Sequence, residues 1–123
     1  MIDEQSLSRV PDHVPPELVR ALDCYDMLGD AEDVQLAWKR VQDEYPAIFW
    51  TPFNGGHWVV TRAKDIEGVF RDHERFSTAN FLVPKMERAV RALPNSADPP
   101  EHIHYKRLVT PAFSPAATRH LVS

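Results

Sequence analysis

Proline is the strongest constraint on this chain. Eleven of its 123 residues are prolines, and each fixes a backbone angle and removes an amide donor, so helices must fit between them. Pro11, Pro15 and Pro16, set among acidic residues from Val10 to Leu28, predict an extended lead-in. Asp30 is placed to cap a first helix in which Val34, Ala37, Trp38, Val41 and Tyr45 form one apolar stripe, and Pro46 stops it. Pro84 opens a further helical stretch with Met86, Ala89, Val90 and Leu93 on one face, and Pro94 ends it. Asp98 with Pro99 predicts another N-terminus, and Pro111 should bend or finish that helix near Thr110. Ser114-Pro115 repeats the cap-then-proline signal, and the pattern Ala117, Leu121, Val122 is still running at Ser123.

Between these helices the period changes. Ala47–Thr51 and His57–Thr61 are rich in aromatic and β-branched residues, and Asn54-Gly55-Gly56 between them supplies the positive backbone angles of a hairpin. Two glycines between strands lack the strand-to-helix context of a phosphate loop. A helix with Ala63, Ile66, Val69 and Phe70 on one face follows, then a short extended piece, Arg75-Phe76-Ser77-Thr78. The fold class is mainly α with a small β-sheet (α+β). A two-stranded hairpin is marginal alone and amphipathic helices need partners, so the chain reads as the front of something larger.

Charge runs from acidic to mildly basic. Residues 1–45 carry eleven acids against four bases, whereas residues 46–97 have five against seven and residues 98–123 two against three. No dense basic stripe marks a nucleic-acid partner, and no apolar run approaches a membrane span. The acidic start, Met1-Ile2-Asp3-Glu4, does not resemble a secretory signal, so a cytoplasmic location is expected. Cys24, the one cysteine, excludes an internal disulfide; its acidic neighbours should raise its pKa, and a structural role is expected. His57, beside Trp58, reads as a packed or edge residue.

Two spacings bear on chemistry. His102 and His104 have a metal-ligand look, but two positions on a helix differ by about 200° and cannot chelate one ion. A small metal hydrolase built on that pair is therefore disfavoured, and no metal site is expected. His102 and Lys106, four apart, share a face and together can grip a carboxylate or phosphate near the helix N-terminus. On spacing alone, a solvated His and Lys remains the commoner meaning.

The order of motifs adds what spacing lacks. Asn54-Gly55-Gly56-His57-Trp58-Val59-Val60-Thr61-Arg62, Glu74-Arg75-Phe76-Ser77, Asp98-Pro99-Pro100-Glu101-His102 and Ala112-Phe113-Ser114-Pro115 follow one another as in the N-terminal part of bacterial soluble cytochromes P-450. The chain resembles these haem-thiolate monooxygenases, the camphor-hydroxylase-like branch most, from about Val10 onward. The resemblance implies a truncated N-terminal portion of one P-450 domain spanning 1–123, with 1–29 as lead-in and 30–123 holding helices, hairpin, substrate loop and propionate helix. It implies haem b as cofactor, with His102 donating to a propionate and Lys106 standing where the family usually has arginine, which loses the two-pronged donor. Arg107 could share that role or face a redox partner. The segment 80–97 corresponds to the substrate loop, making Phe81, Val83 and Val90 substrate-binding candidates for a small apolar molecule.

The implied activity is hydroxylation with O2 and electrons from a ferredoxin-like or flavin donor. The family's oxygen-activating helix and thiolate loop have no counterpart in these residues, so no catalytic residue is expected in this chain. The alternative is a truncated non-catalytic remnant or interaction module lacking the haem-ligating region.

Overall fold

A computed structural model describes residues 9–27, 33–86 and 91–119. The elements are α1 (Val34–Glu44), β1 (Ile48–Thr51), β2 (His57–Val60), α2 (Ala63–Arg71), α3 (Glu101–Val109) and α4 (Pro115–Thr118), with 3-10 turns at Pro16–Leu18 and Thr110–Phe113. The mainly helical chain with one small sheet is the architecture expected. It divides into two compact units, Met1–Arg71 with Leu82–Lys85, and Asp72–Phe81 with Met86–Ser123.

In the first unit, α1 is capped by Asp33, whose carboxylate accepts from the Gln35 amide at 2.7 Å. Asp30, the expected cap, lies outside the described residues. Pro46 holds Tyr45 in extended backbone and so ends the helix. Ala37 and Val41 from the stripe are buried, and Trp38 and Tyr45 pack partly against a core of Leu22, Val41, Phe49 and Val59. Phe49 is fully buried, and its ring meets Tyr45 edge-on with centroids 5.2 Å apart.

β1 and β2 pair antiparallel with Trp50 opposite Trp58, and the ring pair packs edge-on at 5.6 Å. The Ala47 carbonyl accepts from both the amide and the hydroxyl of Thr61, at 2.9 and 3.1 Å, so the predicted strand ends still meet beyond the formal strands. Asn54, Gly55 and Gly56 all have positive φ, as the turn demands. The lead-in runs beside β1: Val19 bridges Trp50 in parallel, and the Arg20 amide donates to the Trp50 carbonyl at 2.8 Å. The buried Thr51 hydroxyl then donates to the Leu22 carbonyl at 2.6 Å and accepts from the Leu22 amide at 3.3 Å. On α2 the expected stripe forms, but only Ile66 and Val69 are half-buried, while Phe70 is 80% exposed.

After α2, two expectations are corrected. Arg75-Phe76-Ser77-Thr78 is not extended, because the Asp72 carbonyl accepts from the Arg75 and Phe76 amides and turns the chain. No described residue between Pro84 and Pro94 is helical: residues 82–84 are bends, and residues 93–96 form a turn in which the Pro94 carbonyl accepts from Ala97. Ala89 and Val90 lie outside the described residues. An apolar period runs through the stretch, but Pro84 and Pro94 at its ends and the Asn95-Ser96 pair compete with helix.

Asp98 also departs from expectation. Its carbonyl accepts from the His102 amide at 3.0 Å and so starts the α3 ladder, but its carboxylate makes no capping bond to the helix. Instead it accepts from Ser77 and Thr78. Pro100 occupies the cap position with helical angles, which leaves the Asp98 side chain free to serve the earlier segment. The end of α3 is as the prolines require: Val109 closes it, a 3-10 turn carries Pro111, and the Ser114 hydroxyl accepts from Ala117 at 3.2 Å to start α4.

Candidate functional site

The residues of interest converge on α3. Glu101 sits in its first turn and Lys106 and Arg107 in its last, each sign matched to the helix dipole. Arg91 reaches Glu101 at 2.6 Å across the chain turn, and this pair holds the Glu101 carboxyl below the usual carboxylate range. Both side chains are substantially exposed, so the pair fixes direction more than it stabilises.

His102 and Lys106, one helical turn apart, line the same open groove, of about 450 Å3. Its walls include Pro94, Val109 and Phe113. His102 is half-buried and Lys106 exposed, and neither side chain has a hydrogen bond or ion pair among the described residues. A second groove, of about 390 Å3, is lined by Ile103, Lys106, Arg107, Thr110 and Pro111. Arg107 thus faces away from His102, as the roughly 100° step around a helix requires. His104 lines neither groove, and the helix separates it from His102.

This arrangement suits an anion beside an apolar plate. A cationic amine and an imidazole stand at one edge, with aromatic and aliphatic carbon next to them. Lysine offers a point charge in place of a planar fork.

The substrate candidates are less assembled. Phe81, in the same unit as α3, is about half exposed and lines neither groove. Val83 belongs to the other unit, where its carbonyl accepts from the Tyr25 hydroxyl. Val90 lies outside the described residues.

Sequence reading missed two things. The groove walls at Val109 and Phe113 were legible only as part of an apolar stripe and a matched motif. The contact between Cys24 Sγ and His57 Nε2, at 3.6 Å, joins residues 33 positions apart and has no local signal. Burial first, and Asp23 second, push the Cys24 thiol up; Asp23, the neighbour that sequence had pointed to, is the smaller cause. Burial pushes His57 down. A protonated thiol is the opposite of what ligation of iron by sulfur needs.

No protein-family model matches the chain. Over 114 residues it is 36% identical to a probable cytochrome P-450 127A1 of Sinorhizobium fredii, covering 85% of this chain and 28% of that protein. Over 99 residues it is 33% identical to the epothilone C/D epoxidase of Sorangium cellulosum, covering 72% of this chain and 23% of that one. The crystal structure of CYP101J2 superposes with a TM-score of 0.81 at 38% identity, over 91% of this chain and 29% of that one. The chain therefore spans less than a third of the length of these relatives. High structural similarity at this identity, with curated relatives of one kind, shows that the chain is similar over most of its length to part of a cytochrome P-450.

Proposed function

We propose that this chain is the N-terminal portion of a haem-dependent monooxygenase that hydroxylates a small apolar substrate, using O2 and electrons from a ferredoxin-like or flavin partner in the cytoplasm. The observation that carries the reading is the placement of His102 and Lys106 on one apolar groove, with neither side chain otherwise engaged among the described residues. In this reading His102 donates to a propionate of haem b and Lys106 balances its charge, while Phe81, Val83 and Val90 contact substrate. When bound, the haem supplies oxygen activation; the chain supplies binding and orientation. Cys24 does not serve as the iron's thiolate, given its raised pKa and its contact with His57.

The test is haem retention in the full-length protein. His102→Ala combined with Lys106→Ala is expected to speed haem transfer to apomyoglobin by about tenfold or more, the loss of two charge-assisted contacts. An unchanged transfer rate would sink the assignment. Lys106→Arg should retain haem at least as well as the native protein, because the fork restores two-point contact.

A further inference from the structure

One residue joins two parts of the second unit that the proposed function treats separately. The Asp98 carbonyl starts α3 by accepting from the His102 amide at 3.0 Å. Its carboxylate accepts from the Thr78 amide at 2.8 Å, from the Thr78 hydroxyl at 2.9 Å and from the Ser77 hydroxyl. Ser77 in turn accepts from the Ala79 amide at 3.1 Å. Three donors on one carboxylate form a charge-assisted clamp. The residues just before Asp98, Ser96 and Ala97, are each 97% buried, so the clamp stands on a fixed base. The clamped segment has no helix or strand of its own and leads, two residues after Ala79, to Phe81.

We infer that Asp98 is a positioning residue: its carboxylate fixes Ser77–Ala79 to the start of the propionate-binding helix and so sets where Phe81 stands for an apolar ligand. The inference rests on the proposed function for its ligand, but not for the clamp itself. A carboxylate with these donors stays ionised at neutral pH; the Ser77 hydroxyl first, then the Thr78 amide, hold Asp98 below the ordinary carboxylate range. Asp98 lines neither groove on α3, so its role is to position the segment that leads to Phe81. Losing it frees the segment without removing either haem contact.

The experiment has two arms in the full-length protein. In the first, amide hydrogen exchange is followed at Thr78, Ala79 and His102 in Asp98→Ala and Asp98→Asn. Asp98→Ala is expected to speed exchange at Thr78 and Ala79 by about tenfold while leaving His102 unchanged, because the main-chain bond to His102 survives. Asp98→Asn, which keeps one acceptor oxygen, should recover part of the protection. Unchanged exchange at Thr78 overturns the inference, and so does equal loosening at His102.

In the second arm, Soret shifts give the affinities of haem-loaded protein for imidazole and for 4-phenylimidazole. Asp98→Ala should cut the preference for the larger probe by about tenfold and leave imidazole binding alone. An unchanged ratio overturns the link to Phe81, whereas general destabilisation would weaken both probes together. Failure of the native protein to take up haem would refute the proposed function instead, and the exchange arm, which needs no haem, would still decide the clamp.

Discussion

Cys24 Sγ lies 3.6 Å from His57 Nε2, joining the lead-in to the first residue of β2. The Cys24 amide also donates to Asn54 Oδ1 at 3.1 Å, and Asn54 Nδ2 donates to Asp23 at 2.9 Å, so the hairpin turn and the lead-in are tied at several points. A neutral thiol beside a neutral imidazole makes this contact compatible with partial burial.

Opposite shifts at one contact bound the pH range of stability. Burial holds the folded pKa of His57 below the ordinary histidine value of 6.5, so its contribution is full above that pH and is lost as pH falls through the folded value. Burial holds the folded pKa of Cys24 above the ordinary thiol value of 9.0, so its contribution is full below that pH and is lost as pH rises through the folded value. Thermal melts should show a plateau between about pH 6.5 and 9. Cys24→Ala should flatten the alkaline fall and leave the acid limb; an alkaline fall of native size in that variant would contradict the assignment.

The Thr51 hydroxyl should be worth more than its size. It is fully buried, donates to the Leu22 carbonyl and accepts from the Leu22 and Phe53 amides. Thr51→Val keeps the shape but leaves these groups unpaired, and a loss of about 1–3 kcal/mol is expected in urea unfolding. Thr51→Ser, which keeps the hydroxyl, should lose less.

Phe49 anchors the first unit. Phe49→Ala removes a fully buried ring and its edge-on contact with Tyr45, and about 3–5 kcal/mol of stability should go with it. Phe49→Leu should fall between the two. A Phe49→Ala variant that melts like the native chain would mean that the core lies elsewhere.

Two glycines should respond in opposite directions. Gly55 has φ +85°, and a Cβ there would lie 3.2 Å from Pro84 Cβ, so Gly55→Ala should cost about 1–2 kcal/mol. Gly68, inside α2, has open space where a Cβ would stand, and Gly68→Ala should stabilise by about 0.5–1 kcal/mol. Paired thermal melts check both signs.

What sequence made legible was mostly local. The Asn54-Gly55-Gly56 turn, the stop at Pro46, the break at Pro111 and the Ser114 cap all follow from backbone rules that act within a few residues. Asp98 shows the limit. A capping aspartate and a loop-clamping aspartate have the same local sequence, and only the return of Ser77 and Thr78 decides between them. The face shared by His102 and Lys106 was readable from a four-residue spacing, but the walls that make it a groove come from Pro94 and Phe113 on either side of the helix in sequence. At the described residues 84–86 and 91–94, prolines and turn residues outweigh the apolar period.

The strip of chain from Val19 to Leu22, bonded along β1 through Trp50 and Thr51, also guards against self-association. An open strand bearing Ile48 and Trp50 would offer unpaired amides and carbonyls to any passing copy. By occupying that side, the lead-in acts as a sheath, and a chain shortened past Leu22 would be expected to stick to itself before it lost any chemistry.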